Sequence, residues 1–229
     1  MTGPSISPDR LPDVWLFDLD NTLYPANSRL FDQINVRMTR FIANFLGVDD
    51  EAAGLVRRTL WHKHGTTLNG LMREHALEPA AFLDYVHDID HSVLAVDSEF
   101  DATLARLPGR KIIFTNGSLT HAERVLARLG LAHHFEGIYD IIASGYVPKP
   151  EAATYAQVVQ RFGIDPARAA MVEDSPHNLP PAAAMGMMTV WVPPTPDHDP
   201  GESAPHIHHV AHNLPQWLSM LVPEASRPD

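Results

Sequence analysis

Cysteine is absent from the 229 residues, which excludes a disulfide framework, thiolate nucleophiles and zinc–thiolate sites. Basic residues are few: 17 lysines and arginines stand against 28 aspartates and glutamates, a formal net charge of -11. Such a surface is not built to grip a nucleic acid polymer or an anionic membrane. It leaves room for a small anionic substrate, because a metal ion can make a local site positive inside an acidic protein. No apolar run approaches the ~20 residues that span a bilayer. Residues 1–12 are rich in Pro and Asp and hold no apolar signal core. A soluble cytoplasmic protein is the expectation.

What is present has a clear order. Val14-Trp15-Leu16-Phe17 is a short apolar run that stops abruptly at Asp18-Leu19-Asp20-Asn21-Thr22, the pattern of a buried strand opening into a polar loop. Residues 28–91 then carry helical patterning throughout, with no strand signal. Leu30, Phe31, Ile34, Met38, Phe41, Ile42 and Phe45 recur at three- and four-residue spacing, one face of a helix that Gly47 ends. Further helices follow, one capped by Asp49 or Asp50 and two short ones after Gly65. After about Glu99 the pattern alternates. Strands are expected at 111–114, 138–143, 169–172 and 188–192, and helices at 119–129, 151–162 and 179–185. Strands alternating with helices predict a parallel sheet covered on both faces. The fold expected is therefore α/β: a Rossmann-like core, residues 1–24 and 95–229, with an all-helical cap domain inserted at 25–94. Residues 193–205 read as a surface loop and 214–221 as a closing helix.

Polar residues follow the apolar runs at Asp18/Asp20, Thr115/Asn116 and Glu173/Asp174, and Lys149 sits between two prolines after a fourth strand candidate. In an open parallel sheet the carboxyl ends of the strands converge on one crevice, where such folds bind ligands. Three or four carboxylates there would repel strongly unless a cation held them. Hard oxygen donors of this kind suit Mg2+, which binds through one or two carboxylates, waters and a substrate phosphate. A carboxylate is also a competent nucleophile toward phosphorus. One of Asp18 and Asp20 can attack while the other handles the leaving-group proton. Thr115 and Lys149 supply a hydroxyl and a cation where transferred charge must be stabilised.

Asp18-Leu19-Asp20-Asn21-Thr22, Thr115-Asn116-Gly117, Lys149-Pro150 and Glu173-Asp174-Ser175 resemble, in order, the four motifs of the haloacid dehalogenase superfamily. That resemblance implies Asp18 as nucleophile and metal ligand, and Asp20 as general acid/base with its carbonyl also on the metal. It implies Thr115 and Asn116 at the phosphoryl group and Lys149 offsetting charge. Asp174 would be the remaining Mg2+ ligand, with Glu173 acting directly or through water. Phe17 to Pro25, the stretch His64-Gly65-Thr66-Thr67-Leu68 with Gly70-Leu71, and Asp88-Ile89-Asp90 are similar to the pyrimidine 5'-nucleotidase branch. The expected activity is hydrolysis of a small phosphorylated metabolite, a pyrimidine nucleoside 5'-monophosphate first, with a sugar phosphate or phosphoglycolate as alternatives. A carbon–halogen hydrolase and a non-catalytic binding module are the competing classes.

Other residues read more plainly. Asn178 suits a helix-start cap, and His177 an exposed loop. Trp61, His62, Lys63 and His64 are candidates for a nucleotide pocket, though helix packing and a solvated face explain them as well. His198, His206, His208, His209 and His212 lack an accompanying carboxylate or cysteine for a tetrahedral metal set. They are expected to lie in a solvated tail.

Overall fold

Strand β1 (Val14–Phe17) is buried along its whole length, so it reads as a continuous apolar run rather than an alternating one. In the computed structural model, which describes residues 11–195 and 204–222, it lies at the centre of a six-stranded sheet. The other strands are β2 (Arg110–Phe114), β3 (Gly137–Tyr139), β4 (Ala169–Glu173), β5 (Met188–Trp191) and β6 (His209–Val210). Their order is β3-β2-β1-β4-β5-β6, and every neighbouring pair is parallel. β1 pairs with β2 on one side and β4 on the other, so Phe17 lies level with Ile113 and Val172. The chain reverses direction across the sheet at this strand, and a crevice opens beyond its carboxyl end.

Successive side chains in a strand point to opposite faces, and two apolar clusters follow that period. Trp15, Phe17, Ile113 and Val172 pack on one face against α5 (Ser98–Arg106), α6 (Leu119–Leu129) and α9 (Leu214–Leu221). Val14, Leu16, Ile112, Phe114 and Met171 pack on the other against α7 (Ala152–Phe162) and α8 (Pro180–Ala184). The fold is a Rossmann-like parallel α/β sheet with helices on both faces.

Between β1 and β2 run four helices, α1 (Leu30–Leu46), α2 (Asp50–His64), α3 (Thr67–His75) and α4 (Pro79–Val86). They bury an apolar cluster of their own around Ile42, Leu60, Leu71 and Phe82. Gly47 ends α1 in the left-handed conformation, and Asp49 caps α2 by accepting from the Ala52 amide at 2.8 Å. Gly70 lets α3 approach α2 closely, since a Cβ there would lie 2.6 Å from that of Leu60. No described helix is long and apolar enough to cross a membrane.

Two expectations need correction. The strand expected at 138–143 stops at Tyr139. Asp140 accepts from the amides of Leu119 (2.8 Å) and Ala143 (2.9 Å), which turns the chain instead. The late histidines do not form a free tail. His208 Nδ1 accepts from the Thr189 amide (3.0 Å) and Thr189 Oγ1 donates to the His206 carbonyl (2.6 Å), seating this segment so that β6 extends the sheet. His198, residues 1–10 and most of the expected 193–205 loop lie outside the described residues.

Candidate active site

Asp18 stays tied to the sheet through its amide, which donates to the Val172 carbonyl at 2.9 Å. The next residues turn back at once, with the Thr22 and Leu23 amides both donating to Leu19. The two aspartates consequently acquire different surroundings. Asp18 is buried and takes Lys149 Nζ on Oδ1 at 2.7 Å and Thr22 Oγ1 on Oδ2 at 3.0 Å. Asp20 takes Tyr24 OH at 2.6 Å and His121 Nε2 at 2.8 Å, both on Oδ1.

Lys149 is the hub. Its ammonium, 1% exposed, also donates to Glu173 Oε2 (2.6 Å) and the Phe114 carbonyl (2.8 Å). Asn116 holds its main chain from both sides, donating to the Lys149 carbonyl (3.2 Å) and accepting from its amide (2.8 Å). The Asn116 carboxamide thus positions Lys149, a role that spacing alone did not suggest. Thr115 Oγ1 is buried and accepts from the Gly117 amide at 2.9 Å. Thr115, Asn116, Lys149, Glu173 and Asp174 all border one cavity of about 600 Å³ with Asp18 and Asp20.

Carboxylate oxygens of Asp18, Glu173 and Asp174 lie within 4.8 Å of one another. Asp20 directs its carboxylate at Tyr24 and His121 instead, so any metal contact from it would fall to its carbonyl. Burial, then the charge of Glu173, pushes Asp18 up to about 7 against the pull of Lys149. Asp174 is pushed well up by burial, then by Glu173 and Asp18. For Lys149 burial disfavours the charge, yet Asp18 and Glu173 outweigh it and raise the ammonium above its usual range. Burial also acts against the Asp20 carboxylate, but His121 and the bond from Tyr24 hold it down at about 2. Three crowded carboxylates facing one lysine, all hard oxygen donors with no imidazole among them, fit a magnesium-sized cation.

Several participants carried no sequence signal that was read. His121 lies in the first turn of α6, where side chains lean back over the preceding loop, and Tyr24 lies four residues after Asp20. His87 stacks on His121 with ring centroids 4.3 Å apart and meets Ser118 Oγ at 3.0 Å. Burial, then His121, pushes His87 down to about 3. Of the cap candidates, Trp61 and His62 border the cavity. Lys63 and His64 turn instead to Glu74, each at 2.6 Å. His177 is exposed at the rim, and the Asn178 carbonyl accepts from the Tyr155 hydroxyl.

Residues 12–186 match the family model of haloacid dehalogenase-like hydrolases. The chain belongs to that family. Among curated relatives, Phosphate metabolism protein 8 of Saccharomyces cerevisiae is 28% identical over 206 residues, 80% of this chain and 64% of that protein. Fructose-1-phosphate phosphatase YqaB of Escherichia coli is 36% identical over 73 residues, 31% of this chain and 37% of YqaB. The chain thus spans less than two thirds of either relative. A solved structure with the same fold is the magnesium-bound HAD-hydrolase YfnB of Bacillus subtilis. Its TM-score is 0.60 at 18% identity, over 92% of this chain and 99% of YfnB.

Proposed function

We propose that this hydrolase is a magnesium-dependent phosphomonoesterase acting through an aspartyl-phosphate on Asp18, with pyrimidine nucleoside 5'-monophosphates as favoured substrates. The observation that carries the reading is the division of labour between two carboxylates. Asp18 is fixed on Lys149 inside the carboxylate cluster, whereas Asp20 faces a proton-bearing pair, Tyr24 and His121. A carbon–halogen hydrolase has no use for that second carboxylate, since relatives of that class carry no acid at its position. The names of YqaB and Phosphate metabolism protein 8, and the magnesium of YfnB, agree with phosphate chemistry.

Asp18 attacks phosphorus and the bond to the leaving oxygen breaks, that oxygen taking a proton held between Asp20 and His121. Asp20 then accepts a proton from water, which cleaves the aspartyl-phosphate and frees Asp18 and inorganic phosphate. Lys149 and Thr115 stabilise the phosphoryl oxygens, and Asn116 keeps Lys149 in place. Asp18, Asp174 and the Asp20 carbonyl would hold magnesium, with Glu173 beside them. When bound, the ion supplies the positive charge that lets an anionic ester approach three carboxylates. Helices α1–α4, within a cap at 25–94, would close over a core formed by 1–24 and 95–229 and exclude water.

The substrate preference rests on the motif resemblance and on the cavity wall. That wall is largely apolar, from Ile34, Met38, Phe82 and Val86, yet it includes Asn35 and Arg57. Arg57 donates to Asn35, makes no ion pair among the described residues, and its buried Nε has no hydrogen-bond partner. A flat ring edged with carbonyl acceptors suits such a wall. Phosphate release from UMP, CMP, dTMP, fructose 1-phosphate and phosphoglycolate, with Mg2+ and with chelator, tests the reading. Magnesium-dependent release favouring the nucleotides is expected. Arg57→Ala should raise their KM about tenfold, the loss of one charge-assisted bond, and leave kcat unchanged. A sugar phosphate preference would keep the mechanism and overturn the substrate. No release from any ester would favour a binding module.

The charge balance also predicts a pH dependence. Asp18 is raised to about 7 in the metal-free fold, so its stabilising contribution is complete below about pH 4 and is lost as pH rises through about 7. Asp174 shifts in the same direction, while Asp20, lowered to about 2, loses its contribution only in acid below that window. Stripping Mg2+ should therefore lower Tm more at about pH 8 than at about pH 5. Equal losses at both pH values would contradict the carboxylate cluster as the binding site.

A further inference from the structure

At the far end of the sheet from the carboxylate cluster, two imidazoles and a carboxylate converge. His134 Nε2 lies 2.7 Å, and His133 Nε2 3.2 Å, from the same Asp101 Oδ1. The three ligand atoms all lie within 4.8 Å of one another. The His133-His134 turn runs into Glu136, whose amide meets Lys111 near the start of β2, whereas the proposed catalytic Thr115 follows that strand's end. We infer that Asp101, His133 and His134 form a second metal site, for a zinc-class divalent cation.

Donor chemistry sets the ion. Two imidazoles and one carboxylate suit Zn2+, Ni2+ or Cu2+, whereas Mg2+ takes oxygen ligands. Ligands about 2.1 Å from a tetrahedral ion stand about 3.4 Å apart. The observed 2.7 and 3.2 Å need only a small opening to admit one.

The backbone is already placed. Asp97 caps α5 by accepting from Glu99 and Phe100, and Phe100 and Leu104 anchor that helix in the core. On the other arm Leu131 is buried, and Phe135 packs edge-on to Phe17 at 5.9 Å. Among the described residues no lysine or arginine pairs with Asp101, so nothing else neutralises it when the histidines are uncharged. The His134 side chain is 6% exposed, and those of Asp101 and His133 are 40% and 64% exposed. The site is therefore reachable, with a fourth position open to water. An ion here would clip α5, the first helix after the cap, to the turn that starts β3.

The test is calorimetric titration of Zn2+ into chelator-treated, untagged protein in excess Mg2+, which occupies the catalytic carboxylates. One Zn2+ per chain is expected, with a rise in Tm. His133→Ala and Asp101→Asn, both at accessible side chains, should each weaken binding at least ~10-fold and abolish the Tm rise. Asp174→Asn should leave it intact. The inference is overturned if wild type binds no Zn2+, or if binding survives in both site variants. Loss on Asp174→Asn instead would also overturn it, by placing the ion among the catalytic carboxylates. These readouts do not depend on the substrate or on any phosphatase activity.

Discussion

Asp18→Asn is expected to reduce phosphate-ester turnover by about 10⁴-fold or more while the protein stays folded. The amide keeps the size of the carboxylate, and its oxygen can still accept from Lys149 while its NH2 faces the Thr22 hydroxyl, but it cannot form the covalent intermediate. It also removes one of three crowded carboxylates, pushed up to about 7 by burial and by Glu173. The metal-free variant should therefore be at least as stable as wild type near neutral pH, because the burial cost of the charge and the repulsion from Glu173 together exceed the attraction to Lys149. Stopped-flow and steady-state phosphate release report the first effect, and urea unfolding the second. Turnover retained within tenfold would assign the nucleophile elsewhere.

Lys149→Met should destabilise the metal-free protein by about 3–5 kcal/mol, the usual cost of removing one partner from a buried ion pair. The ammonium joins Asp18, Glu173 and the Phe114 carbonyl in a place that is 1% exposed. Methionine fills most of the volume, so the loss isolates charge from packing. Two carboxylates would then face each other with no fixed cation, and protonation would relieve them. The deficit should accordingly shrink toward about pH 5. Saturating Mg2+ should recover part of the stability, but turnover should remain down at least ~10²-fold, because the phosphoryl oxygens lose a preorganised donor. An unchanged urea midpoint at neutral pH would show that Lys149 does not hold the cluster together.

Strand ends were legible because the relevant physics is local. An apolar run that stops at Asp18, Thr115 or Glu173 marks the point where the chain leaves the core, and parallel topology makes those points converge. The helical block was legible for a similar reason, since its spacing and caps at Gly47 and Asp49 are written within single helices. The strand at β3 was overdrawn because Asp140 bonds to Leu119 and Ala143. An acceptor that serves a helix start 21 residues earlier leaves no mark on a hydrophobic run. β6 was missed because its order comes from Thr189 and His208 across the sheet, not from apolar patterning.

The order of motifs in the chain already specified a parallel α/β sheet with Asp18, Asp20, Thr115, Lys149 and Asp174 near one crevice, because each depends on residues a few positions apart. Which atoms meet was beyond that reading. Lys149 reaches Asp18 across 131 residues and His121 reaches Asp20 across 101. Burial and Glu173 drive Asp18 up against the pull of Lys149, while His121 and Tyr24 hold Asp20 down against burial. Two aspartates that look alike in the chain differ because desolvation and charge act through space, so their separate chemistry exists only in the folded protein.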